Sequence, residues 1–219
     1  MPRHVPLIVT SLVLIVSGCT YERGGSISSH YSEFSAREPT RSTVAVCSAY
    51  GCKTQTKVRF ASKQINQIKK VMGKYRRSKG DTPHGERVAV AYAVGWMEQY
   101  VGKITGTSAD RPGMEYLGSG DPTQQDCVDE ATNTTSYLLI LQRNGLLKHH
   151  KVGTPFSKGN LLLGGVKNWP HWTAVLNANK SGTRFAVDSW IYENGENPAI
   201  VEADKWYLTD LDNLPKPTG

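Results

Sequence analysis

Long apolar runs are missing from this 219-residue chain, and so is any clustered set of metal ligands. The longest largely apolar stretch, residues 5–16, falls short of the roughly 20 residues that cross a bilayer. His149-His150 has no third ligand close by in sequence and reads as a turn-exposed basic cluster, so neither a metal nor another cofactor is expected. Lys and Arg number 26 against 19 Asp and Glu, a formal charge of +7, yet no basic stripe interleaves with aromatic residues. That argues against nucleic-acid binding. A basic surface of this size suits anionic lipid, cell-wall polymer or acidic protein without choosing among them. Cysteine is scarce, with four residues: Cys19, Cys47, Cys52 and Cys127.

The first of these closes an export signal. Met1-Pro2-Arg3-His4 leads into the short apolar run and then Ser17-Gly18-Cys19, a basic start, an apolar core and small residues before a cleavage point. Val16-Ser17-Gly18-Cys19 resembles the lipobox of bacterial lipoproteins. The resemblance implies cleavage after residue 18, acylation of Cys19 and membrane attachment through lipid, stable once two or more chains are present. Thr20 stands where an aspartate would signal inner-membrane retention, so the implied address is the outer membrane, facing the periplasm.

Removing residues 1–18 leaves 201 residues and a charge of +6, enough for one domain with a sizeable core. Residues 19–43 are rich in Ser, Arg, Glu, Gly and Thr and read as a flexible tether. Residues 44–212 read as the folded domain and 213–219 as a tail. In an oxidising compartment Cys47 and Cys52 are close enough to join across Ser48-Ala49-Tyr50-Gly51. Cys127 is then the odd thiol, either buried and inert or kept for its chemistry.

Apolar periodicity places a first helix through Ile65, Ile68, Met72 and Tyr75, ending between Arg76 and Gly80. Thr82-Pro83 caps a second that carries Val88, Tyr92, Met97 and Tyr100, with Gly95 inside it for close packing against a neighbour. Pro122-Thr123 starts a third, with Cys127 in or just after its first turn, ending near Asn144-Gly145. A helix N-terminus favours a thiolate and can bind a developing oxyanion. Asp129 and Glu130 are expected to face outward or towards the helix start. Strands follow at Leu161-Leu162-Leu163, at residues 171–176 and 184–190, and at Ala199-Ile200-Val201. If the hairpin loop is centred between Asn179 and Lys180, His171 and Asp188 lie directly opposite each other. A shift of one residue makes them diagonal on one face; a half-residue shift separates them.

A thiol, an imidazole and a carboxylate therefore follow in order, in Asp126-Cys127-Val128-Asp129-Glu130-Ala131, His171-Trp172-Thr173-Ala174-Val175 and Ala186-Val187-Asp188-Ser189-Trp190. A thiol attacks an acyl carbon as thiolate, an imidazole takes its proton, and a carboxylate orients the imidazole. These motifs resemble the transglutaminase-like superfamily, whose pattern is Cys-x-Asp-aromatic-Ala on a helix, with His and Asp on neighbouring strands. Glu130 departs from it by replacing the aromatic. Over about residues 83–192 the resemblance implies an α+β, papain-like fold, with N-terminal helices followed by an antiparallel sheet. It implies Cys127 as nucleophile, His171 as acid and base, Asp188 as orienting group, and the Cys127 N–H with Gln125 or Trp169 at an oxyanion. The expected activity is that of an envelope cysteine peptidase or amidase acting on a protein or peptide, including cell-wall, substrate. The alternatives are a transglutaminase with an amine acceptor and a catalytically silent lipoprotein that binds an envelope partner. Trp169, Trp172 and Trp190 line an acyl pocket or fill the core.

Overall fold

The helical spacing of Ile65, Ile68 and Met72 becomes the buried stripe of a helix in the computed structural model, which describes residues 25–113, 115–159, 170–210 and 213–215. In chain order the elements are α1 (Ile27–Glu33), β1 (Thr43–Ser48), β2 (Thr54–Arg59), α2 (Ser62–Lys79), α3 (Pro83–Thr105) and α4 (Cys127–Arg143). Then come β3 (His150–Lys158), β4 (His171–Ala178), β5 (Arg184–Asp188), β6 (Ala199–Glu202) and α5 (Ala203–Leu208). The class is α+β: an antiparallel β1–β2 hairpin, then helices, then an antiparallel sheet in the order β3-β4-β5-β6. Among the described residues no helix is long and apolar enough to cross a membrane. The signal segment, Cys19, Trp169 and the expected strand at 161–163 lie outside the described residues.

Buried helix α4 is the axis of the molecule. Its Leu138, Ile140 and Leu141 share one core with Val44 and Val46 of β1, Val90 and Met97 of α3, and Ala174 and Leu176 of β4. Across the sheet a second core gathers Phe156, Val175, Ala186 and Val201 beneath Trp206 of α5.

Local chemistry sets the helix ends. The Thr82 hydroxyl accepts the Gly85 N–H at 3.1 Å, and Pro83 occupies the first turn, as expected. Helix α4 starts at Cys127, later than Pro122-Thr123 suggests. Asp121 accepts from the Thr123 N–H and hydroxyl, both at 2.8 Å, and so holds that segment as a turn. Asp126 then caps the helix in an extended conformation. Gly95 and Gly102 let residues 194–197 rest on α3: a Cβ on Gly95 would lie 3.1 Å from the carbonyls of Gly195 and Glu196. Close packing is thus the reason for Gly95.

Two sequence expectations are corrected here. Residues 26–34 are not a free tether, because α1 docks on α4. Tyr31 is buried and meets the Ser136 hydroxyl at 2.7 Å, and His30 Nε2 meets Thr132 Oγ1 at 2.9 Å. Polar composition hid two buried rings. Nor is the histidine pair an exposed turn: His150 is buried, with Nδ1 3.0 Å from the carboxylate of Glu86.

The sheet register differs by one residue. Ala174 pairs with Val187, Leu176 with Phe185 and Asn177 with Arg184. The hairpin is centred between Lys180 and Ser181, closed by Ala178 N–H to Thr183 C=O at 2.8 Å, with Gly182 at φ 71°. His171 and Asp188 are therefore diagonal neighbours on one face, which still brings them together.

Glu86 pins α2, α3 and β3. It is fully buried and accepts from the N–H groups of Lys148, His149 and His150 and from Arg76 Nη2. Burial alone would raise its pKa, but His150, the backbone donors and Arg76 outweigh that and hold it below the usual carboxylate range. A depressed carboxylate contributes stability above its unfolded pKa, about 4.3, and that contribution is lost as pH falls through the folded value. Glu86→Ala is expected to cost about 3–5 kcal/mol in urea unfolding at pH 7. The deficit relative to wild type should shrink in acid.

Candidate active site

The head of α4 positions the thiol of the site. The carboxylate of Asp126 accepts the N–H groups of Val128 (3.1 Å) and Asp129 (2.9 Å), and Asp129 answers by accepting the Asp126 N–H at 3.2 Å. This reciprocal cap fixes the first turn. It leaves the Cys127 N–H as the donor that Asp126 does not take.

A disulfide joins Cys47 to Cys52 across the loop that lies on this turn. Ala49, Tyr50, Gly51 and Cys52 all have positive φ, between 58° and 69°. Successive left-handed residues turn their N–H groups to one side and make an anion cradle. Tyr50 and Cys52 donate to Asp129 at 2.9 and 2.7 Å, and Gly51 to Asp126 at 3.1 Å. Cys47, Cys52 and Asp129 bring ligand-type atoms within 4.8 Å of one another. The two sulfurs are bonded to each other, and both Asp129 oxygens are taken by backbone donors, so this is no metal cage.

Strands β4 and β5 supply the imidazole and the carboxylate. His171 Nε2 lies 2.7 Å from Asp188 Oδ2, both side chains buried. The same oxygen accepts Trp206 Nε1–H at 2.8 Å. The imidazole packs against the rings of Trp190 and Trp206, at 4.6 and 5.5 Å between centroids. With Nε2–H on the carboxylate, Nδ1 is left to take a proton, and it is buried with no partner among the described residues.

Cys127 reaches the backbone on both sides of His171. Its thiol donates to the Pro170 carbonyl at 3.5 Å, and the Trp172 N–H points at the sulfur. No hydrogen bond joins the sulfur to the imidazole among the described residues. The helix N-terminus does not prevail here: burial pushes the thiol up to about 12, and Asp126, Asp188 and Asp129 add to it while the Trp172 N–H opposes. The thiol is protonated at rest, contrary to what its helix position suggests.

Asp129 turns to the helix start, one of the two expected placements, whereas Glu130 does not face outward, and both are buried. Asp129 is drawn into the loop cradle, and Glu130 accepts the Ser189 hydroxyl at 2.7 Å. Burial pushes Glu130 up to about 7 and, with help from Glu130, Asp110 up to about 8. Burial and Glu130 also raise Glu98. Gln125 sends Nε2 to the Cys47 carbonyl at 3.0 Å, so that donor ties down the disulfide loop instead of facing an oxyanion. Trp172 packs with Cys127 and Ala131 under Phe34, and Trp190 Nε1 is buried with no acceptor among the described residues.

Sequence reasoning overlooked Trp206, Glu98 and Asp110. Trp206 lies in a six-residue helix with no periodicity to read, and the two acids are distant in sequence from every motif. The chain matches no family model, no curated protein and no solved structure.

Two outcomes are expected. At pH 7.5, iodoacetamide should label Cys127 of the folded chain at least about a hundredfold more slowly than in urea. By mass spectrometry, the folded rate should keep rising towards pH 12 while the unfolded rate levels off above about 8.5. Trp206→Phe keeps the ring but removes a donor from Asp188, and should cost about 1–3 kcal/mol in urea.

Proposed function

We propose that this chain is a lipid-anchored envelope cysteine hydrolase, a peptidase or amidase of papain-like, transglutaminase-like fold, working through an acyl-enzyme. The observation that carries this is the buried His171–Asp188 pair, with imidazole Nδ1 open, next to a thiol on the first residue of α4. The disulfide supports an oxidising compartment.

The thiol leaves the Pro170 carbonyl and passes its proton to His171 Nδ1, and the sulfur attacks an amide carbonyl carbon. The C=O π pair moves to oxygen, which the Cys127 N–H stabilises, with the indole N–H of Trp190, unpaired among the described residues, as a side-chain donor. On collapse the C–N bond breaks, and His171 gives its proton to the departing amine, leaving a thioester. Water loses a proton to the same nitrogen, adds to the thioester and releases acid and thiol. Asp188 holds the ring throughout and stabilises the imidazolium. A thiol protonated at rest fits this sequence, since the proton moves only when a carbonyl is in place.

A peptidyl vinyl sulfone set read by intact mass tests the proposal. A single adduct on Cys127 is expected in the wild type, none in Cys127→Ala, and a rate at least about a hundredfold lower in His171→Ala. Equal rates with and without His171 would sink it. The neutral thiol bonded to Pro170 favours a second reading, a silent binding protein, and equal rates are what that reading predicts. Incorporation of an added primary amine at the expense of hydrolysis would instead identify a transglutaminase.

A further inference from the structure

Helix α2 holds seven of the chain's basic residues and no acidic one. Its outer face forms, with α3, a groove made of two adjoining concavities of about 430 and 660 Å³ that share Gln67, Lys70 and Trp96. Their sizes fall within the range of ligand pockets. No Asp or Glu lines either one. The walls combine three chemistries. Trp96 and the stacked pair Tyr75–Tyr92, 3.6 Å between centroids, supply flat apolar rings. Gln67 and Asn197 supply amides that both donate and accept. Lys63, Lys70 and Lys74 supply cationic heads, with Lys74 Nζ 4.9 Å from the Tyr75 ring.

Rings that stack on the C–H face of a pyranose, amides for its hydroxyls and lysines for its acidic substituents are what an acidic sugar presents itself to. From Lys63 to Lys74 the groove follows α2 for about 16 Å, long enough for a chain of sugars. We propose that this groove binds an anionic polysaccharide, several residues at a time, apart from the Cys127 site. The occupant follows from charge complementarity and from the Cys47–Cys52 disulfide, which belongs to oxidising compartments and not to the cytosol, where most nucleic acid is held. A bare anionic bilayer would use the lysines and the rings and leave the amides of Gln67 and Asn197 idle.

Alginate oligosaccharides, titrated into the full chain by calorimetry at low salt, are the probe. Saturable binding that weakens as salt rises is expected, with neutral dextran at least about tenfold weaker. Trp96→Ala and the pair Lys70→Ala with Lys74→Ala should each weaken alginate about tenfold or more. Since Trp96 is half-buried, circular dichroism accompanies its variant, and the exposed lysine pair keeps the test independent of it. Cys127→Ala should bind as the wild type does, so loss of hydrolysis and loss of binding are separable. Absence of alginate binding would overturn the proposal. So would binding indifferent to Trp96 in a folded variant, or equally tight binding of polyglutamate or phosphatidylglycerol vesicles.

Discussion

The constraint on which everything else depends is that α4 is buried on nearly every side while carrying a polar stripe. Thr132, Asn133, Thr134 and Ser136 are all buried, and each must find a partner. They find them in different elements: His30 and Tyr31 of α1, both backbone groups of Cys47 on β1, and Ser189 beyond β5. One such bond is worth about 1 kcal/mol net, but a buried group left without its partner costs about 1–3. The helix therefore accepts one rotation and one height relative to all three neighbours. Cys127, its first residue, inherits that placement, and the sulfur is delivered to the start of β4.

Around that point electrostatics and burial compete, and burial wins for the thiol. The partial charge of a helix N-terminus is worth up to about 2 kcal/mol in favourable, partly buried geometries. Three carboxylates stand against it, and the sulfur is almost wholly removed from water. The disulfide loop limits the repulsion by spending its own backbone donors on Asp126 and Asp129. Its left-handed residues other than glycine, Ala49, Tyr50 and Cys52, each cost about 1–2 kcal/mol. Three backbone hydrogen bonds to the Asp126 and Asp129 carboxyl groups and the cross-link offset that strain.

Repeating patterns and local caps were readable in the chain, and isolated contacts were not. The stripe of α2, the Thr82-Pro83 cap and the hairpin at residues 171–188 follow from periodicity and turn chemistry. Even the misplaced register kept His171 and Asp188 on one face, because an error of a whole residue at the hairpin centre preserves facing. The β1–β2 hairpin, the docking of α1 and the burial of His150 depend on partners far away in sequence: Asn133, Ser136 and Glu86. Glu130 shows why composition misleads at the site itself. An acid in a first turn reads as solvated, and only the fold reveals Ser189 above it. The groove was hidden for a similar reason, since α2 carries its lysines and α3 its tryptophan.

Stability alone gives little reason to bury His171 and Asp188. A buried pair of this kind can often be replaced by apolar side chains of similar volume without loss, whereas one left half-satisfied is costly. Here the pair is incomplete: among the described residues Nδ1 and Asp188 Oδ1 both lack partners, while the Trp190 and Trp206 rings and the Trp206 N–H fix the rest. A scaffold selected only to bind elsewhere would gain by filling or removing those atoms. Burial raises Glu98, Glu130 and Asp110 as well, with Glu130 acting on the other two, which limits the negative charge gathered behind α4. The cost of open polar atoms is recovered when a proton has to arrive at Nδ1, and that is the step the proposed chemistry requires.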